Sequence, residues 1–123
     1  MKILIDTHIL LWASAEPTRL DERQRAALET MTNTIYVSSV SLAELMIKAS
    51  LGKLVVDFDV VELCLESGFE ILDLKGQDVL PLKDMPFHHQ DPFDRLIVAQ
   101  SMVNNYPVMT NDPKFKLYDC PLF

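Results

Sequence analysis

The chain has 123 residues, enough for one domain with a real core and too few for two. Its 49% hydrophobic content excludes intrinsic disorder, and apolar runs such as Ile3 to Ile5 and Ile9 to Ala13 are far too short to cross a bilayer. A formal net charge of −7 opposes nonspecific attraction to a polyphosphate, and the isolated Cys64 and Cys120 support neither a zinc knuckle nor a redox motif. No signal-peptide pattern follows Met1, so the expected location is the cytoplasm.

Lys2-Ile3-Leu4-Ile5 is the continuous apolar run of a strand buried on both faces, and it ends at Asp6-Thr7. Ile9 to Ala13 continue without Gly or Pro and predict a short helix that Glu16-Pro17 stops. Between Leu20 and Met31, the apolar Leu20, Ala27, Leu28 and Met31 among charged residues predict a solvent-facing amphipathic helix. Ile35 to Ser38 reads as a strand. Ser39 to Glu44 leads into a helix with Leu42, Leu45, Met46 and Ala49 on its apolar side, closed by Gly52.

Asp59 to Ser67 predicts another helix stopped by Gly68, with Cys64 in the core, followed by a strand over Glu70 to Leu74. Gln77 to Leu82 suggests a helical turn, and Lys83 to Gln90 the longest loop. Asp91 and Pro92 then start a helix: Asp91 accepts from free backbone donors, and Pro fits the first helical position. That helix ends near Asn104-Asn105, Tyr106 to Thr110 gives a strand broken by Asn111-Asp112-Pro113, and Tyr118 to Phe123 suggests an edge strand. Alternating strands and helices predict an α/β sandwich with a mainly parallel sheet, whose ligands bind beyond the carboxyl ends of the strands where the strand order reverses.

Four acids fall at such boundaries, and each also has a reading without chemistry. Asp6 and Asp112 follow strands and could cap the next helical segment. Ser41-x-x-Glu44 matches a capping box, and Glu44 could pair with Lys48 for about 0.3–0.5 kcal/mol. Asp94 heads a row containing Ile97 and Val98 that faces the core, so it needs a first-turn N–H, Arg95 or a metal ion as partner. Capping does not explain why all four share one kind of boundary. Clustered carboxylates raise each other's pKa unless a cation neutralises them, and hard oxygen ligands favour Mg²⁺ or Mn²⁺. Setting those four acids aside also leaves a milder surface charge.

Asp6-Thr7-His8, Ser41-Leu42-Ala43-Glu44 with Lys48 and Gly52-Lys53-Leu54, Asp91-Pro92-Phe93-Asp94-Arg95-Leu96-Ile97, and Thr110-Asn111-Asp112 resemble the PIN domain. Within it the chain is most similar to the VapC-type toxin ribonucleases of type II toxin–antitoxin pairs, from Met1 to about Phe115. Each motif alone is weak, but the ordered set is specific. The resemblance implies a single PIN-like three-layer α/β/α sandwich and a Mg²⁺- or Mn²⁺-dependent endoribonuclease. It places Asp6, Glu44, Asp94 and Asp112 in the family's acidic quartet, as catalytic and metal-binding residues, and makes Asp91 a cap or a residue standing behind the ligands.

Thr7 and Thr110, next to quartet acids, could orient carboxylates or waters, or be ordinary strand-end residues. Lys48, Lys53 and Arg95 could steer an RNA strand, although isolated charges more often solvate the surface, and Arg95 could instead pair with Asp91. His8, His88 and His89 read by default as loop or packing residues, with substrate contact by His88 or His89 as the alternative. The resemblance further implies an RNA substrate, a cognate antitoxin covering the acidic groove, and a homodimer, with no membrane partner. Leu11, Trp12 and Phe87 belong to the core by default and would suit either interface if exposed.

Three other functions compete. One is a non-catalytic PIN-like module that only binds a regulatory partner, and a second is a free-standing RNA-processing nuclease. An aspartyl-phosphate type of Mg²⁺ phosphatase would need a second acid two residues after Asp6, where His8 stands.

Overall fold

The computed structural model describes residues 1–123. Four parallel strands, β1 (Lys2–Ile5), β2 (Thr34–Ser38), β3 (Glu70–Leu72) and β4 (Val108–Met109), lie in the order β3-β2-β1-β4. The chain works outward from β1 through β2 to β3, then returns to place β4 on the other side of β1. The strand order therefore reverses between β1 and β4, and this is where such a sheet opens a crevice at its carboxyl edge.

Five α-helices cover the sheet: α1 (Thr7–Ala15), α2 (Glu22–Glu29), α3 (Ser39–Ser50), α4 (Val60–Glu66) and α5 (Pro92–Asn104). Successive strand side chains point to opposite faces, so both faces must be apolar when helices lie on each. Ile3, Ile5, Ile35, Val37 and Met109 pack with Ile9 and Leu10 of α1, Ala27 of α2 and Val60 and Cys64 of α4. Leu4 and Val108 turn the other way, against Ile97, Val98 and Ala99 of α5 together with Phe115 and Tyr118. Helix α3 contributes Leu45 to the first core and Val40 to the second. The expected three layers and parallel sheet are present, and no helix is long and apolar enough to cross a membrane.

Several elements differ from their sequence expectations. Ser38 caps α3 by accepting from the Val40 N–H, so Ser41 and Glu44 lie inside the helix and do not form a capping box. Met31 falls beyond the end of α2 and is 98% exposed, and Met46 on α3 is also exposed. Strand β4 keeps only two residues because Pro107 offers no N–H to a ladder and Thr110 turns its hydroxyl into the site. The expected edge strand over 118–123 is reduced to a parallel bridge between Leu122 and Val108. The longest connection without regular structure is residues 51–59, entered through Gly52 at a φ of +72°, where a side chain would be strained. The helical turn expected at 77–82 is a 3-10 segment, Gly76–Lys83.

Candidate metal centre

Asp6 leaves the end of β1 and caps α1, its Oδ1 accepting from the Ile9 N–H at 2.9 Å. Its other oxygen, Oδ2, accepts the Thr110 hydroxyl from the end of β4, and the same hydroxyl oxygen accepts the Asp112 N–H at 3.0 Å. Capping and convergence are thus not alternatives: the residue that starts the helix also presents its carboxylate at the switch point.

Glu44 arrives from α3, one and a half turns after Ser39, and is buried. Oε1 accepts the Thr7 hydroxyl at 2.8 Å, and Thr7 lies 2.9 Å from the Ser41 hydroxyl. Oε2 pairs with Lys48 Nζ at 2.6 Å, a contact that raises the lysine's pKa. This pair differs from the exposed helix pair the spacing alone suggests. The carboxylate is only 3% exposed, so leaving it bare costs more than the few tenths of a kcal/mol an exposed pair supplies.

Asp91 caps α5, accepting from the Phe93 and Asp94 N–H groups at 2.8 and 3.4 Å. Asp94 sits in the first turn and faces inward, 9% exposed. Asp112 caps the 3-10 segment Pro113–Leu117 through Oδ1 to the Lys114 N–H at 2.9 Å. Between the last two acids stands His89, whose Nε2 lies 2.9 Å from Oδ2 of Asp94 and 2.9 Å from Oδ2 of Asp112. Ligand atoms of His89, Asp94 and Asp112 all fall within 4.8 Å of one another.

Burial and like charge set the electrostatics. Desolvation raises the Asp94 carboxyl to about 7, with the charges of Asp91, Asp6 and Glu44 adding to the rise and His89 opposing it. Burial likewise lifts Asp6 above the usual carboxylate range, against the donors Thr110 and Ile9. At Asp112 burial also pushes upward, but the Lys114 N–H and the His89 ring outweigh it and hold the carboxyl below its usual value. Four acids thus face a region whose contacting basic side chains are Lys48 on Glu44 and the His89 ring. The residues fit a hard divalent cation: oxygen donors, excess negative charge, and two carboxylates that burial penalises when ionised.

Asp6 and Asp112 also line an open cleft of about 230 Å³ with His8, Trp12 and Asn111. Of the proposed supporting residues, Thr7, Thr110, Lys48 and Asp91 touch the acids or their backbone as described. Arg95 does not. It neither pairs with Asp91 nor faces an incoming strand, because it is 6% exposed and donates to the Pro86 carbonyl at 2.8 Å, the Tyr118 hydroxyl at 3.0 Å and the Met85 carbonyl at 3.4 Å. Phe87 lies over its guanidinium, 4.2 Å from ring centroid to Cζ, and is itself 82% exposed. Arg95 therefore organises the 84–91 loop from below.

Two contacts of the site have no signal in the sequence: His89, expected as a loop or packing residue or a substrate contact, instead meets Asp94 and Asp112, and Gln24 meets Asn111. His89 is one of three histidines, and nothing in its local pattern distinguishes it from the exposed His88 beside it. Gln24 completes a capping box with Asp21 and then reaches Asn111 Oδ1 at 2.8 Å, tying α2 to the segment that carries Asp112. Residues 87 positions apart give no local signal of that contact.

Fold and site together define a doubly wound parallel α/β protein with a cluster of buried acids at its switch point. The PIN domain matches residues 3–119, and the chain belongs to that family. No curated protein is a significant match to the sequence. Among solved structures, the chain is similar to one in the crystal structure of VapBC2 from Rickettsia felis bound to a DNA fragment from their promoter. Identity there is 20% and the TM-score 0.71, covering 99% of this chain and 96% of that one. It is likewise similar to a chain of DNA-bound VapBC from Salmonella typhimurium, at 22% identity, TM-score 0.62 and coverage of 99% and 96%. A chain of VapBC-1 from nontypeable Haemophilus influenzae shows 18% identity and a TM-score of 0.65, with coverage of 100% and 97%.

Proposed function

We propose that this protein is a divalent-metal-dependent endoribonuclease, the toxin of a toxin–antitoxin pair. The observation that carries this reading is the delivery of Asp6, Glu44 and Asp94, all nearly inaccessible, to one region with Asp112 at its rim, where Asp94 feels the charges of Asp6 and Glu44. Burying like charges together is costly, and a fold retains it where a cation offsets it. Mg²⁺ or Mn²⁺ held by Asp6, Glu44, Asp94 and Asp112 would activate water for attack on an RNA phosphodiester and offset charge on the phosphoryl and departing oxygens.

The chain's own residues prepare the site. Thr110 and the Ile9 N–H fix the Asp6 carboxylate, while Thr7 and Lys48 hold the two oxygens of Glu44. Helix α1 begins beside these acids and brings the positive end of its dipole to the region, whereas the first-turn N–H groups of α5 are already taken by Asp91. His8 and Trp12, whose rings lie 5.9 Å apart and are tilted by 54°, wall the cleft next to Asp6 and offer aromatic ring faces to a nucleobase.

An antitoxin partner is part of the reading. Leu11, Trp12, Leu54, Val56, Phe58 and Leu63 line an apolar cleft of about 460 Å³ between α1, the 51–59 connection and α4. Val55 at its rim is 85% exposed, and the solved relatives are named as VapBC complexes, which supports a protein segment as occupant.

The test mixes the pure protein with single-stranded and structured RNA in Mn²⁺ or Mg²⁺, in parallel with D6N. Cleavage by the unaltered chain alone is expected. Equal inactivity of both proteins overturns the enzyme assignment and leaves the partner-binding module.

A further inference from the structure

His89 makes two different kinds of contact through its two ring nitrogens. Nε2 meets Oδ2 of Asp112 in a 2.9 Å hydrogen bond and Oδ2 of Asp94 at the same distance. Nδ1 accepts the backbone N–H of Asp91 at 3.2 Å. An atom that accepts an N–H carries no proton of its own, so the ring's proton resides on Nε2, facing the two carboxylates. To ligate a cation through Nε2, the ring would have to move that proton to Nδ1, where it would oppose the Asp91 N–H head-on.

The ring is also held from behind. The His89 backbone N–H donates to the Tyr118 hydroxyl at 2.8 Å, and that hydroxyl in turn accepts from Arg95 at 3.0 Å. Phe115 lies edge-on to the imidazole at a centroid distance of 6.2 Å, and the side chain is 11% exposed. The 84–91 loop is thus clamped by Arg95 and Tyr118 so that a single N–H stands between an acid from α5 and an acid from the far side of β4. The Asp112 carboxylate is fixed at both ends, with the Lys114 N–H on Oδ1 and His89 on Oδ2.

We propose that His89 is a positioning residue of the cation site: its Nε2–H sets the gap between Asp94 and Asp112, and it remains a hydrogen-bond donor, not a ligand, when the cation binds. This rests on the metal-dependent reading given above. A donor standing behind carboxylate ligands orients them, and removing such a donor typically weakens metal affinity about 10–100-fold.

The experiment uses the full chain and two readouts independent of catalysis. In the first, ¹⁵N shifts of the His89 ring are recorded without cation and with saturating Mg²⁺. Nε2–H with unprotonated Nδ1 is expected in both states, and a proton on Nδ1 with a displaced Nε2 signal in the Mg²⁺ form would show ligation and overturn the proposal. In the second, Mn²⁺ binding is titrated calorimetrically for the unaltered chain, H89L and H89Q. H89L is expected to bind about 10–100-fold more weakly, while H89Q, whose amide nitrogen has the same reach, retains most of the affinity. H89L binding as tightly as the unaltered chain overturns the role of His89 alone. Absence of Mn²⁺ binding by the unaltered chain overturns the metal-dependent reading and this proposal with it. Should H89L fail to fold, the ¹⁵N tautomer and H89Q still decide.

Discussion

The hydroxyl of Thr110 donates to Oδ2 of Asp6 across the junction of β4 and β1, joining residues 104 positions apart, and accepts the Asp112 N–H in return. One side chain therefore orients one quartet acid and anchors the backbone of another. Thr110→Val keeps the shape and removes the hydroxyl, leaving the Asp112 N–H and Asp6 Oδ2 each short of a partner. The expected loss is about 1–3 kcal/mol of stability by denaturant unfolding, together with weaker Mn²⁺ binding. Thr110→Ser should restore most of both, and an unchanged midpoint for the valine variant would refute the role.

Asp94 makes the metal-free protein sensitive to pH. Its carboxyl titrates at about 7 in the folded chain, against an ordinary value of 3.8, because of burial first and neighbouring acids second. Between those two values the folded state holds the proton that the unfolded state has released, so folding stability falls as pH rises and levels off above about 7. Asp6, also raised, adds to the same slope, whereas the lowered Asp112 acts in the opposite sense in more acidic solution. Thermal midpoints in chelator should therefore be higher at pH 5.5 than at pH 7.5. Asp94→Asn should flatten the profile and raise the midpoint at pH 7.5 while abolishing cation binding.

Lys48 neutralises a carboxylate that has almost no access to water, although the lysine itself is 38% exposed. Lys48→Met is expected to cost about 1–3 kcal/mol in chelator, more than an exposed helix pair would account for. Adding Mg²⁺ should recover part of the loss, because the cation supplies charge that the lysine no longer provides. Melting curves with and without Mg²⁺ measure this, and equal losses under both conditions would argue that Glu44 lies outside the cation's reach.

Arg95 holds three oxygen acceptors with a planar fork that an ammonium group cannot reproduce. Arg95→Lys should lower stability by about 1–3 kcal/mol and loosen the 84–91 loop, seen as faster amide exchange at His89. Because the guanidinium is buried, Arg95→Met, which removes the charge, should leave the salt dependence of RNA cleavage as in the unaltered chain. A shallower salt slope would restore the steering role that its charge alone suggests.

The elements that could be read in advance are those whose signals are local. Asp91-Pro92 starts α5 because a cap and a pre-set φ act within one turn, and Ile3 to Ile5 forms β1 because a strand covered on both faces is apolar throughout. Order along the chain, with strands alternating with helices, was sufficient for the parallel layered fold. Other boundaries shifted where a neighbour competed: Ser38 took the cap position ahead of Ser41, and Thr110 left β4 to bond Asp6.

The sequence by itself determined the fold class, the caps that start α1 and α5 and the four acids worth watching, since each is written in residues a few positions apart. Only the tertiary structure decided which side chains meet. His89 reaches Asp112 across 23 residues and Gln24 reaches Asn111 across 87, and hydrogen bonds of that span depend on how the layers stack, not on any pattern along the chain. For the same reason the fold gave Arg95 a buried scaffolding task in place of an electrostatic one. Burial, which no single residue encodes, determines whether a charge meets water, an ion or the backbone.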